Sequence, residues 1–192
     1  MNYDWELLAA RAYRCRLPFL DVTVGLVCGR DGNLLIDCGT TLSEAGHIEA
    51  DVREMTGMPV TRLVMTHNHF DHILGGGGFR DAQIYAAPPV TVAFSVRLPE
   101  TCAEAVRYGA DPAEVDTAAG AVRPPDRQVW NAAIDLGDSI VQVEHPGRGH
   151  TDHDLVVVVP AFGSAERPVV FCGDLVEQSG DPVDQRGLAG TG

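Results

Sequence analysis

The sequence predicts an α/β fold in one domain, residues 1–192, and three observations carry that expectation. The N-terminal half reads β-β-α-β. Its third strand runs straight into the densest cluster of chemistry in the chain, and strand ends are where α/β sheets place functional loops. Strand-like runs then resume after position 126 and continue to position 174.

Taken in order, "FLDVTVGLVCG" and "NLLIDCG" are β-rich runs separated by the turn residues "RDGN", a hairpin signature. "TLSEAGHIEADVREMTG" follows. Thr41 and Glu44 fit a capping box, Gly57 fits a C-terminal stop, and Ile48, Val52 and Met55 form an apolar stripe at helical spacing. "TRLVMT" reads as a buried strand and "QIYAA" as a short one. Residues 88–125 change character: they hold six of the twelve prolines, many alanines and one predicted helix, Thr101 to Tyr108, with Thr101 and Glu104 as its capping box. This stretch reads either as a lid over the site or as a surface insertion. "RQVWNAAIDLGDSIVQVEHPG" then gives paired strands around a Gly137-Asp138 turn, and "DLVVVVPA" and "RPVVFCGD" give two more.

Composition narrows the function. Apolar residues at 45% and charged residues at 21% suit a globular chain. A net charge of −13 repels phosphate backbones, so no nucleic-acid partner is expected. The longest apolar run, Leu155 to Val159, is too short to span a bilayer, so no membrane partner is expected either. Five scattered cysteines without a CxxC pair, and an N-terminus unlike a secretory signal, point to a reducing, cytoplasmic compartment.

Three of the seven histidines and an aspartate fall within "HNHFDH", residues 67–72. In an extended segment, side chains at i, i+2 and i+4 share one side, so His67, His69 and Asp71 can converge provided the backbone stays extended. His72 breaks the alternation, and a helix starting at Asp71 or His72 would turn it toward the same region. One loop then presents ligands in two directions, a geometry suited to two ions about 3.5–4 Å apart. Imidazole and carboxylate without thiolate suit zinc, iron or manganese better than copper(I). The glycines at 75–78 either let backbone approach the site or supply conformations closed to other residues.

"THNHFDH" resembles the signature of the metallo-β-lactamase-fold hydrolases. "LLIDCGT" is similar to the strand before the first helix of that superfamily, "GRGHTDHDLVV" to the segment with its third histidine ligand, and "VVFCGDLV" to the strand ending in its bridging aspartate. The four landmarks occur in the family's order. The resemblance implies a metallo-β-lactamase-like αββα sandwich. It implies one ion on His67, His69 and His150, a second on Asp71 and His72, Asp174 between them, and Asp37 orienting a ligand. The implied cofactor is zinc, one or two ions, with iron or manganese admitted by the same donors. The implied reaction is hydrolysis: a metal-bound hydroxide attacks the carbonyl of a small ester, thioester, lactone or amide, and Asp71 orients it and passes a proton to the leaving group.

The chain departs from the pattern at two places. His153 stands where a small residue is common; it reads as a partly exposed loop histidine, with contact to substrate or metal as the alternative. His145 and His47 read as structural or solvent-facing. The family's later strand and last histidine ligand have no counterpart in the 18 residues after Asp174. The second half of the sandwich is therefore expected to be truncated, leaving an open sheet edge and apolar face that a homo-oligomer would cover. Two readings compete with the small-molecule hydrolase: an iron-dependent oxidoreductase of the same superfamily, of the persulfide dioxygenase kind, and a metal-binding remnant with an incomplete site.

Overall fold

The structure is a computed structural model describing residues 1–163 and 167–176; the tail "EQSGDPVDQRGLAGTG", read above as lacking any strand or ligand, lies outside the described residues. Two β-sheets lie face to face. The larger has seven strands in sequence order: β1 (Glu6–Ala9), β2 (Ala12–Arg16), β3 (Thr23–Gly29), β4 (Gly32–Ile36), β5 (Val60–Met65), β6 (Gln83–Ala86) and β7 (Arg127–Gln128). Strands β1 to β4 pair antiparallel and β4 to β7 parallel. The smaller sheet is antiparallel in the order β11 (Val169–Phe171), β10 (Val156–Val159), β9 (Ile140–Glu144), β8 (Asn131–Asp135).

Alternation along the strands decides the layers. Leu35, Leu63, Met65 and Ile84 pack with Ile48 and Val52 of α1 (Leu42–Thr56) and with Val90 and Phe94 of α3 (Pro88–Ser95). Their neighbours Leu34, Ile36 and Val64 point the other way and meet Ile134, Val141, Val143, Val157 and Phe171 of the smaller sheet. The result is helix on sheet on sheet. The expected hairpin is β3–β4, and α1 is capped as read: the Thr41 hydroxyl accepts from Glu44 N at 3.1 Å, and Gly57 adopts φ 73° at the C-terminal end.

Three features differ from the sequence reading. The N-terminal segment forms a hairpin, β1–β2, that extends the large sheet; its weak alternation gave no strand signal. Residues 88–125 carry three helices instead of one: α3, α4 (Leu98–Arg107) and α5 (Pro112–Ala119). Thr101 is no cap. It lies inside α4, and its hydroxyl donates to Arg97 O at 3.0 Å, the back-bond open to threonine within a helix. Ala105, Val115 and Ala118 of these helices pack on Phe70 and Leu74, directly behind the histidine loop.

Among the described residues β11 is an edge strand, and no helix covers the outer face of the smaller sheet. Val170 is 53% and Ile140 52% exposed there, so an edge and part of an apolar face are open to solvent. No helix among the described residues is long and apolar enough to cross a membrane.

Candidate metal centre

The site lies where the parallel strands of the large sheet end and two loops of the small sheet arrive. Strand β4 delivers Asp37 and β5 delivers Thr66 and His67. The chain then turns through α2 (Phe70–Ile73), which begins one residue before the predicted start. His150 comes from the loop between β9 and β10, and Asp174 from the turn after β11.

The turn after β5 is packed by its glycines. None of Gly75 to Gly78 has a positive φ, so their conformational freedom is not what the fold uses. A Cβ on Gly75 would collide with Cys38 O, and one on Gly77 would lie 2.7 Å from the Ala121 Cβ. Gly75 N donates to Gly39 O at 2.9 Å. Backbone thus approaches backbone, which carries the histidine loop onto the end of β4.

Asp37 organises the histidines. It is buried and holds φ 62°, a left-handed conformation that costs a non-glycine residue roughly 1 kcal/mol. Its Oδ1 accepts from Thr66 N at 2.8 Å and its Oδ2 from the Thr66 hydroxyl at 2.9 Å. Having donated its one hydrogen to Asp37, Thr66 Oγ1 can only accept from His67 Nδ1, 3.0 Å away. That fixes the His67 proton on Nδ1 and leaves the Nε2 lone pair free. His72 Nδ1 lies 2.9 Å from Asp37 Oδ2 and donates to it in the same way.

The remaining ring nitrogens converge. One ligand atom from each of His67, His69, His150 and Asp174 lies within 4.8 Å of all the others. His69 Nδ1 and His150 Nε2 are 3.0 Å apart, and Asp174 Oδ2 is 3.7 Å from His67 Nε2 and 3.8 Å from His150 Nε2. On the other side of Asp174, its Oδ1 is 3.3 Å from His72 Nε2, which is 3.6 Å from Asp71 Oδ2. The six residues named from the sequence therefore form two groups sharing Asp174. Asp37 stands behind them, bonded to Thr66 and His72.

Electrostatics differ between the groups. Burial pushes the His67 imidazole well below its usual range, helped by repulsion from His72 and His69. Burial and the nearby His150 lower His69 to about 4. Burial also opposes charge on His72, but the carboxylates of Asp37, Asp174 and Asp71 outweigh it and hold its pKa well up. Burial raises the Asp71 carboxyl above its usual range. For Asp174, burial is outweighed by the histidines, His72 foremost, and the pKa falls.

The residues fit a divalent ion. His67 Nε2 and His72 Nε2 are buried and have no aligned hydrogen-bond partner, a costly state for polar atoms unless something else binds them. The donors are imidazole and carboxylate only, the set that zinc, iron and manganese share.

Two further histidines fall into place. His145 is structural: its Nδ1 donates to Asp154 O at 2.8 Å and its ring packs on Trp130. His47 is exposed on α1. His153 corrects the sequence reading of a partly exposed loop residue, because it is only 4% exposed. Its Nδ1 is 2.7 Å from Asp152 Oδ1, and its Nε2 is buried without a hydrogen-bond partner among the described residues. No motif singles out Thr66, whose role is visible only once Asp37 lies beside it.

The chain matches the family model of the metallo-beta-lactamase superfamily over residues 17–191. No curated protein matches it significantly. Among solved structures, it is similar to the metallo-beta-lactamase of Hirschia baltica, with 15% identity and a TM-score of 0.55 over 81% of this chain and 65% of that one. It is similar to the Pontibacter korlensis metallo-beta-lactamase, with 16% identity and a TM-score of 0.58 over 82% and 67% of the two chains. The mono-zinc form of FIM-1 from Pseudomonas aeruginosa gives 16% identity and a TM-score of 0.59 over 82% and 65%. At such identities the likeness is one of fold, and the chain spans about two thirds of the length of these structures. The family match, together with sheet-on-sheet packing that gathers three histidines and an aspartate at the strand ends, establishes that this protein belongs to the metallo-β-lactamase superfamily.

Proposed function

We propose that the protein is a metal-dependent hydrolase acting on the carbonyl of a small ester, thioester, lactone or amide. The observation that carries this reading is the set of four ligand atoms from His67, His69, His150 and Asp174 within 4.8 Å of one another, one of them a buried, unpartnered Nε2. In this reading His67, His69 and His150 hold one ion, Asp71 and His72 take a second, and Asp174 serves both. A divalent ion in such a site lowers the pKa of water to about 7 and polarises a carbonyl oxygen.

The chain's own groups supply the rest. Asp71, its carboxyl raised by burial, is suited to take a proton from the attacking water and return it to the leaving group. Thr66 and Asp37 keep His67 and His72 in fixed orientations so that their Nε2 atoms face the reaction space. Five free cysteines support a reducing, cytoplasmic setting.

The test is a zinc titration of metal-free protein, followed by assays on a panel of esters, thioesters, lactones and a chromogenic β-lactam. Turnover that requires zinc and disappears in Asp71→Asn is expected. Zinc binding without turnover of any class by the loaded protein would defeat the hydrolase reading; iron loading of the same protein would then test the oxidoreductase.

A further inference from the structure

His150 is the one imidazole of the three-histidine group delivered by the smaller sheet, on a loop with no helix or strand of its own, and its side chain is 25% exposed. Something must hold that loop in place if the group is to stay together. The bonds that do so lead to Asp154. This carboxylate is only 2% exposed. Its Oδ2 accepts from Thr151 N at 2.8 Å and its Oδ1 from the Thr151 hydroxyl at 2.8 Å. Thr151 is the next residue after His150, and Thr151 O accepts from Gly149 N, the residue before it, at 2.9 Å. Thr151 is thereby tied directly to one buried carboxylate, and Gly149 is tied to Thr151.

Asp154 is itself anchored at two points. Its carbonyl accepts from His145 Nδ1 at 2.8 Å, closing the loop at its base. Its neighbour Leu155, fully buried, donates N–H to Thr66 O at 2.8 Å. Thr66 is the residue bonded to His67 Nδ1 and Asp37. A continuous path of short bonds therefore runs from His150 through Thr151, Asp154 and Leu155 to His67. Gly149 completes the fit, since any Cβ there would collide with Leu175, beside Asp174.

We propose that Asp154 is the positioning residue for His150, so that affinity for a divalent cation depends on a carboxylate that does not touch it. The inference rests on the metal-site reading above. Both side-chain bonds of Asp154 go to the residue adjacent to the ligand, so its loss should release His150 while the two-sheet core stays folded.

The experiment measures zinc affinity by competition with a chromophoric chelator for the wild type, Asp154→Asn, Asp154→Ala, Thr151→Val and Thr151→Ser. Loss of a residue that orients a metal ligand typically weakens binding about 10- to 100-fold, and that loss is expected for both Asp154 variants. Thr151→Val, which keeps the N–H bond and loses the hydroxyl, should fall between, and Thr151→Ser should bind as the wild type does. Far-ultraviolet circular dichroism of the metal-free variants checks that they fold; should Asp154→Ala fail, Asp154→Asn and Thr151→Val carry the test. The decisive arm is His150→Ala, titrated at the higher zinc concentrations that the donors left on His67, His69 and Asp174 require: in that background Asp154→Asn should no longer alter zinc affinity, because the residue it positions is gone. Zinc affinity within about twofold of the wild type in Asp154→Asn and Thr151→Val, or an undiminished effect of Asp154→Asn in the His150→Ala background, overturns the proposal. A wild type that binds no zinc overturns the metal-site reading as well, a different and separately visible result.

Discussion

The two halves of the candidate metal centre share Asp174 and differ in almost everything else. The half formed by His67, His69 and His150 is rich in imidazole; burial keeps His67 and His69 neutral, with lone pairs ready for a cation. The half formed by Asp71 and His72 has a single imidazole, and three carboxylates hold a proton on it. A cation entering the first half finds His67 and His69 already deprotonated there. One entering the second must displace the His72 proton. Similar residue types, a few ångströms apart, are thus prepared in opposite senses by burial on one side and by charge on the other.

The largest expected effect comes from deleting a ligand of the imidazole half. Elemental analysis of the dialysed wild type should find about one tightly held ion per chain, and His67→Ala or His150→Ala should no longer retain it through dialysis, because loss of one imidazole of three leaves only weak, readily reversed binding. Retention of the ion by both variants would erase the distinction between the halves.

Next in size is removal of the metal itself. An ion that binds only the folded chain stabilises it by about 2.7 kcal/mol at a hundredfold excess over Kd, or roughly 5–10 °C in thermal midpoint for a chain of this length. Adding chelator should lower the midpoint by about that much, and an unchanged midpoint would count against the site.

The halves should also separate by pH in the metal-free protein. His67 and His69 have folded pKa values below the unfolded value near 6.5, so the unfolded chain takes up protons that the folded one refuses, and stability should fall as pH drops from about 6.5 toward 4. His69 alone would account for about 3 kcal/mol at most. His72 acts in the opposite sense. Its raised pKa contributes stability that is complete below about 6.5 and is lost as pH rises through the folded value. Thermal midpoints across this range should peak near neutrality, and His72→Gln should flatten the alkaline limb only. Calorimetry in buffers of different ionisation enthalpy sharpens the point: the second ion should bind more weakly than the first and release about one proton from His72.

The smallest effects lie behind the ligands. Thr66→Val removes the acceptor that fixes His67 and should weaken zinc binding about 10- to 100-fold with the fold retained. Thr41→Ala removes the cap of α1, remote from the ions; it should cost about 1 kcal/mol in denaturant unfolding and leave zinc affinity alone.

Much of this was legible in the chain. The β3–β4 hairpin, the capped helix α1, strand β5 and the late strands follow from alternation, capping residues and turn glycines, which act over a few residues and so are written locally. The N-terminal hairpin was not legible, because Glu6–Ala9 is largely exposed and carries no period of two; the edge of β3 recruits it. The three helices of 88–125 were hidden by proline and alanine, and packing against Phe70 and Leu74 stabilises what local propensity left ambiguous. His153 was misjudged since its loop reads as polar, whereas the fold buries the ring.

What the sequence determined by itself is the chemistry and the local scaffold. "HNHFDH" at the end of a buried strand fixes which donors exist, that they are nitrogen and oxygen, and that two directions are served from one turn. What only the tertiary structure decided is everything that requires residues far apart to meet. Asp37 and His72 are 35 positions apart, and His69 and His150 are 81 apart. Their meeting depends on a parallel β4–β5 pair and on the smaller sheet lying across the larger. The protonation of each histidine then follows from burial and neighbouring charge, which exist only once the sheets have packed. That is why one string of histidines, nearly uniform on the page, becomes a neutral pair, His67 and His69, and a charged single residue, His72, in the folded protein.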